Sequence, residues 1–236
     1  MMRYKKLLLL SVALLIAGAA IVGAGCGGKP AQEVAEGALP SLQTGDRWVY
    51  NLTSSLTGEE QTYTLTYRVT GQESVNGRDC YLLEASFDPP YSEFMASATL
   101  WVEKDTLDMV KMYSAGEAQG ASYTISAENS YDGPSLFPLS VGKEVSRTEI
   151  VTGVVTSEGE IVNEADETHT YIYKVEAIED VTVAAGTFKC FKVVKYEDGD
   201  AYETTWYSDQ VKSGEGVKRI YHDDEEAQEL VSYSVK

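Results

Sequence analysis

Few residues of this 236-residue chain have the types and spacing that catalysis requires. Its two histidines, His169 and His222, lie in strand-like runs beside tyrosines, and no H-E-x-x-H, Cys-x-x-Cys or G-x-S-x-G pattern accompanies them. Zinc hydrolysis and a nucleophile elbow therefore lack their usual signatures. A G-x-G-x-x-G match at residues 23–28 opens no helix, so it lacks the context of a phosphate-binding loop. The sequence predicts no enzyme, no catalytic residue and no cofactor.

Two acidic clusters offer the hard oxygen ligands that Ca²⁺ takes. One comprises Glu197, Asp198 and Asp200, and the other spans residues 223–226. No twelve-residue loop pattern accompanies either cluster, Asp-Gly is ordinary turn chemistry, and charge runs are usually solvated. We therefore predict no metal site.

Aromatic side chains are the more promising set. Eight of them fall in strand-like runs, several at alternating positions that should share one face of a sheet. The concave side of a curved sheet is either packed with such side chains or left open to a ligand, and both alternatives stay open here. The predicted ligand-binding residues are Trp48, Tyr50, Tyr63, Tyr67, Trp101, Tyr171, Tyr173 and Trp206.

The elements that must position these residues are strands. "QTYTLTYRV" places Tyr63, Leu65 and Tyr67 on one face and threonines on the other, which is typical of a half-buried antiparallel strand. Asn-Gly and Asp-Gly pairs between such runs indicate hairpins. No helical period persists after residue 40. The predicted fold class is all-β, a strongly curved antiparallel sheet or half-barrel.

The N-terminus predicts the compartment. Arg3, Lys5 and Lys6 precede an uncharged apolar run over residues 7–22, and small residues lead into Cys26, the layout of a secretory signal. The site resembles the lipobox of prokaryotic lipoproteins, with Gly23 where that family usually has Leu. The alternative is an uncut N-terminal anchor over residues 7–25.

We therefore predict four parts. These are a signal peptide over residues 1–25, a lipidated Cys26, a flexible tether over residues 26–40, and one β domain over residues 41–236. The domain would lie outside the cytoplasm, anchored to the cell membrane by the lipid.

The charge of the chain argues against nucleic acid as a partner. It has 19 basic and 37 acidic residues, a net charge of −18, and residues 1–25 hold three of the basic residues and none of the acidic ones. Such a surface repels phosphate backbones. It favours solubility or a cationic partner.

Two cysteines, Cys80 and Cys190, lie within the β domain. An oxidising compartment would allow them to form a disulfide, whereas their apolar surroundings are typical of buried free thiols. The sequence leaves both possibilities open.

Similar motifs recur in pseudo-repeats at about 41–114 and 136–222. Each contains an opening Gly, a Cys-aromatic strand, a Trp strand and a Val-Lys strand, in that order. The pairs are Gly45 and Gly142, Cys80 and Cys190, Trp101 and Trp206, Lys111 and Lys218. A diverged duplication explains this order, and the alternative is chance similarity among strands of like composition.

The stretches "SLQTGDRWVY", "VTVAAGTFKCFKV" and "TTWYSDQV" resemble a family of uncharacterised exported prokaryotic β-rich lipoproteins with a "V-P-A-G-T-F-x-C" turn. Ala184 replaces the Pro of that turn, and Val145 and Arg147 stand where the second half would have Trp and Tyr. The resemblance implies a shape similar to the half-barrel lipoprotein carriers, around an apolar hollow. It implies no catalytic residues.

Two functions of different classes follow. The preferred one is a non-enzymatic, membrane-tethered lipoprotein that binds or carries an apolar or amphiphilic ligand, a small molecule or lipid, in the hollow of its sheet. The alternative is a structural or interaction lipoprotein of the cell envelope, with a packed core and an acidic face for a partner protein. An extracytoplasmic hydrolase has only the acidic clusters in its favour.

Overall fold

The computed structural model describes residues 37–55, 60–92, 95–222 and 226–236. The predicted signal peptide, Cys26 and most of the predicted tether lie outside these residues. Among the described residues, no helix has the length and hydrophobicity that a membrane-spanning helix needs.

Twelve antiparallel strands form the described structure, which confirms the predicted all-β antiparallel class. Burial alternates along most of them, so that one row of side chains faces inward and the other outward. The strands are β1 Arg47–Ser54, β2 Gln61–Val75, β3 Arg78–Asp88, β4 Ser97–Glu103, β5 Met109–Ala118, β6 Ala121–Asp132, β7 Glu144–Ser157, β8 Glu160–Val183, β9 Gly186–Glu197, β10 Asp200–Tyr207, β11 Lys218–Tyr221 and β12 Glu226–Ser234.

The sheet closes on itself, so the predicted half-barrel is wrong. Each strand pairs with its sequence neighbours, and β1 also pairs with β12, from Arg47 opposite Ser234 to Thr53 opposite Ala227. Closure satisfies the backbone groups that the two end strands of an open sheet would expose. Alternation in the sequence reports which face a residue occupies. It does not report whether the first and last strands meet.

The two halves of the barrel, β1–β6 and β7–β12, each begin with the same kind of backbone hydrogen bond. The Gly45 amide donates to the Val69 carbonyl at 2.8 Å, and the Gly142 amide donates to the Val175 carbonyl at 2.8 Å. Both glycines have positive φ, 98° and 86°. A register shift follows directly after Val69 in β2 and after Val175 in β8.

The outer face repeats as well. The Trp101 indole donates to Glu73 at 2.9 Å, and the Trp206 indole donates to Glu179 at 2.6 Å. Glu73 pairs with Cys80 across β2 and β3, as Glu179 pairs with Cys190 across β8 and β9. The same contacts therefore occur at corresponding places in β2–β4 and β8–β10.

Cys80 and Cys190 are free and buried. They occupy equivalent places in β3 and β9, six strands apart around the barrel. Burial raises the pKa of the Cys190 thiol to about 12 and also raises the pKa of Cys80. Both thiols therefore act as small buried side chains in this structure.

Candidate functional site

The barrel contains a partly open cavity of about 200 Å³ to which all twelve strands contribute. Two equivalent loops, 104–108 after β4 and 208–217 after β10, fold over one end of it. They approach each other closely, since a Cβ added to Gly214 would lie 3.7 Å from Leu107. The Trp48 indole holds the second loop by donating to the Val211 carbonyl at 2.8 Å.

One side of the cavity, which we call the apolar wall, is formed by the inward residues of β1–β5. Its members are almost all hydrocarbon or aromatic side chains, as expected for inward positions of alternating strands. They are Trp48, Leu52, Leu65, Tyr67, Leu83, Phe87, Leu100, Val102 and Met109.

The opposite side, the charged wall, is formed by inward residues of β6–β12. Its strand residues are charged, amide or tyrosine side chains, and Leu136 and Phe137 of the loop between β6 and β7 add apolar surface beside them. The strand residues are Asn129, Tyr131, Arg147, Glu149, Tyr173, Lys195, Glu203, Tyr207, Arg219, Tyr221, Glu226 and Gln228. Asp108 and Glu215 join this set from the two loops.

Arg147 makes a bidentate ion pair with Asp108. Its Nη1 and Nη2 donate to the two carboxylate oxygens at 2.7 and 2.5 Å. Burial alone would lower the pKa of Arg147, but the hydrogen bonds and charge of Asp108 outweigh it and raise that pKa. Arg147 therefore stays charged, and its bidentate contact with Asp108 ties the loop after β4 to β7.

Glu149 is the centre of a second cluster. Its Oε1 accepts hydrogen bonds from Asn129 Nδ2 at 3.2 Å and from the Tyr131 hydroxyl at 2.9 Å. Lys195 Nζ lies 3.8 Å from its Oε2. The same ammonium group lies 3.7 Å from the centre of the Tyr171 ring, a cation–π contact.

Arg219 is the centre of a third cluster. Its Nε lies 3.4 Å from Glu203 Oε1, and its Nη1 lies 2.8 Å from Glu215 Oε2. Burial would raise the pKa of Glu203, yet Arg219 and Lys195 outweigh it and lower that pKa. The same carboxylates raise the pKa of Arg219 against its own burial. Glu203 and Arg219 are therefore ionised inside the barrel.

Three buried polar atoms in the cavity lining have no hydrogen-bond partner among the described residues. They are Asn129 Oδ1, Arg147 Nε and Gln228 Nε2. Because unpaired polar atoms are costly to bury and uncommon in native proteins, these atoms point to groups that a ligand or water would satisfy.

The charged wall replaces apolar residues of the other half. When the Gly45 and Gly142 turns are aligned, Tyr50 occupies the position equivalent to Arg147, and Leu52 the position equivalent to Glu149. Aligning the Trp101–Lys111 and Trp206–Lys218 pairs likewise places Met112 at the position of Arg219.

Three of the eight predicted ligand-binding residues line this cavity, namely Trp48, Tyr67 and Tyr173. Tyr50, Tyr63 and Tyr171 are buried but do not line it. The Tyr50 hydroxyl instead contacts Ser213 Oγ at 2.7 Å and donates to the Gly216 carbonyl at 2.9 Å. Tyr50 therefore holds the loop over the cavity.

Trp101 and Trp206 lie on the outer face of the barrel, which corrects their prediction as lining residues. Leu100 and Val102 point into the cavity on either side of Trp101, and Glu203 and Tyr207 do so in the strand of Trp206. Successive strand residues face opposite sides, so both indoles point away. In neither strand do apolar and polar residues alternate clearly enough for the sequence to predict which face the tryptophan occupies.

The charged wall was not predicted from the sequence. One signal for it was present, because Val145, Arg147, Glu149 and Val151 share the inward row of β7. Arg147 also replaces the expected Tyr of the repeat. The partner of Arg147 is Asp108, 39 residues away, and no local pattern joins the two.

The acidic cluster at Glu197 and Asp198 has structural contacts of its own. Glu197 Oε1 lies 2.7 Å from His169 Nδ1, and Asp198 begins the turn to β10 with φ of 51°. Over the described ranges, no three His, Cys, Asp or Glu side chains are grouped as a metal site would need. Residues 223–225 of the second cluster lie outside those ranges.

No protein-family model and no curated protein matches the chain. Two solved structures resemble it at 14% identity. One is a "putative exported protein with YmcC-like fold" from Bacteroides fragilis NCTC 9343, which covers 85% of this chain and 100% of its own, with a TM-score of 0.41. The other is a "putative lipoprotein" from Parabacteroides distasonis ATCC 8503, which covers 84% and 99%, with a TM-score of 0.38.

Proposed function

We propose that this chain is an exported, lipid-anchored protein that binds a small amphiphilic molecule inside its barrel, without catalysing a reaction. The observation that carries the proposal is the division of the cavity into an apolar wall and a charged wall. A packed structural core would gain stability from apolar residues on both sides, since buried ion pairs contribute little net stability. A cavity with an apolar wall and a charged wall matches a ligand that has an apolar end and a polar end.

The volume limits the size of the ligand. An apolar cavity of about 150 Å³ holds benzene, and this cavity measures about 200 Å³. It therefore fits a molecule of about ten non-hydrogen atoms. A long acyl chain would extend beyond this volume through the open side of the cavity.

The anchor rests on the N-terminal sequence. Residues 1–25 have the three parts of a secretory signal, and Cys26 follows the small residues where acylation would occur. An acyl anchor would hold the binding domain at a membrane surface through the residues of the predicted tether.

Trp48 provides a direct test, because it is the one tryptophan of the three that lines the cavity. A W101F/W206F variant leaves Trp48 as the single fluorescent reporter. Titration with benzyl alcohol, a small amphiphile, should change its emission and saturate, while glycerol should leave it unchanged. A W48F variant keeps only the outer indoles and should respond to neither compound.

The absence of a saturable change in W101F/W206F, with its fold verified by circular dichroism, would contradict binding in the cavity. An equal response from W48F would place the binding on the outer face and would also overturn the proposal.

A second candidate, an interaction lipoprotein, is favoured by one edge of the sheet. β9 pairs with β8 only from Tyr171 to Val183, so residues 160–170 of β8 have no strand beside them on that side within the described structure. This edge carries Glu160, Glu164, Asp166 and Glu167 and no Lys or Arg. An extended basic segment of an envelope protein could add a strand here.

Pull-down from the protein's own membranes tests this candidate. The wild type should capture a basic protein at low salt and lose it at moderate salt, and an E164K/D166K variant should not capture it. Equal capture by the variant, or no capture at either salt concentration, would reject the edge as a docking site.

A further inference from the structure

We infer that the polar end of the ligand is a cationic amine. This inference rests on the proposed function, because it assigns a head group to the same cavity. The described lining residues include five carboxylates and three cationic side chains. The cationic residues are Arg147, Lys195 and Arg219, and the acidic residues are Asp108, Glu149, Glu203, Glu215 and Glu226. The cavity therefore favours a positively charged guest over a negatively charged one.

An unpartnered acceptor shows where the amine would bind. Asn129 is 5% exposed, and its Oδ1 has no partner among the described residues. The orientation of the amide is set by its other end, because Nδ2 donates to Glu149 Oε1 at 3.2 Å. An ammonium group beside Asn129 would donate to Oδ1 and would lie next to the Glu149 carboxylate.

The wall already stabilises cations on aromatic rings. Each of its three cationic groups lies over a tyrosine, with Lys195 3.7 Å from the centre of the Tyr171 ring and Arg147 4.9 Å from that of Tyr131. Tyr67, Tyr173 and other aromatic residues of the lining offer further ring surface. Aromatic faces attract an ammonium ion, and more strongly where water is excluded.

A ligand oxygen or a water would satisfy the two unpartnered donors, Arg147 Nε and Gln228 Nε2. A carboxylate would bring further negative charge into a lining that already has more acids than bases. An uncharged oxygen would not. The ligand class is therefore a small apolar molecule that carries an amine and a hydroxyl or carbonyl oxygen.

Three probes of similar size separate the possible head groups. Tyramine, para-ethylphenol and para-hydroxyphenylpropanoate share a phenol ring and differ in carrying an ammonium, no charge or a carboxylate. We expect calorimetric titration of the wild type to give a dissociation constant for tyramine at least about tenfold lower than for the other two. If para-ethylphenol or the carboxylate binds as tightly as tyramine, the inference is wrong and the proposed function stands. If none of the three binds, the proposed function fails with it.

Substitution of one carboxylate tests the location. Glu149→Gln should weaken tyramine binding about tenfold and leave para-ethylphenol binding unchanged. Glu84→Gln removes an exposed carboxylate on the outer face of β3 and should change neither. Should Glu149→Gln fail to fold, Gln228→Glu adds a carboxylate to the lining and should tighten tyramine binding. Unchanged tyramine affinity in a folded cavity variant would contradict the assigned place.

Discussion

At the scale of single residues, the interior of this protein contains ion pairs, and the pair of Arg147 with Asp108 joins residues 39 positions apart. Arg147 and Asp108 are 7% and 11% exposed, whereas Arg78 and Glu103, whose nearest charged atoms are 3.9 Å apart, are 34% and 22% exposed. Removing one member of a buried pair leaves a charge without compensation. Exposed pairs contribute little, because solvent screens them.

We therefore expect Arg147→Met to lower the free energy of unfolding by about 3 kcal/mol or more. An R147M/D108N double variant should recover a large part of this loss, because no unpaired carboxylate remains. Arg78→Met, the exposed control, should cost less than about 1 kcal/mol. Urea denaturation measures all three. Equal losses for Arg147→Met and the double variant would contradict the role of the pair.

His169 makes stability depend on pH. Burial lowers its pKa, but hydrogen bonds and charge from Glu197 and Glu167 outweigh burial and raise it above the ordinary value of 6.5. Because the folded-state pKa is the higher one, the stabilisation is fully present below pH 6.5 and disappears as the pH rises through the raised value.

The expected result is a wild-type melting temperature that exceeds that of His169→Gln below pH 6.5, by an amount that shrinks as the pH rises through the raised pKa. Thermal melts across this range measure the difference. A difference that stays constant with pH, or grows as pH rises, would show that the imidazolium does not stabilise the fold.

At the scale of elements, the sequence revealed strands and turns but not their global pairing. "QTYTLTYRV" became the buried face of β2 because alternation is a local property of a strand. Closure of β1 on β12 and the inward course of the two loops depend on residues far apart in sequence. For the same reason, the sequence could place Trp48 among the inward residues but could not place Trp101 on the outer face of the barrel.

The loop over the cavity depends on Gly216. It has φ of 74°, and a Cβ there would lie 2.6 Å from the Trp206 carbonyl oxygen. Gly199, with φ of 94°, has no atom within 4 Å of such a Cβ and serves as the matched control. Gly216→Ala should therefore destabilise the protein by more than about 1 kcal/mol, and by more than Gly199→Ala does. Equal losses in thermal or urea unfolding would show that crowding at Gly216 has no effect.

At the scale of the whole molecule, a single closed barrel has two unlike halves. The repeated turns and Trp–Glu contacts maintain the same framework in both, and the inward side chains differ. One half keeps the apolar interior that stabilises a barrel. The other half lines the cavity with charged side chains, and this division is the main support for ligand binding.

The most direct test is native mass spectrometry of the full chain extracted gently from its own membranes. We expect the domain to release, on activation, a molecule of about ten non-hydrogen atoms. The same spectrum should show the mass of a lipid on Cys26. A chain that releases nothing, and whose Trp48 emission responds to no small amphiphile, would contradict the account and favour the interaction lipoprotein.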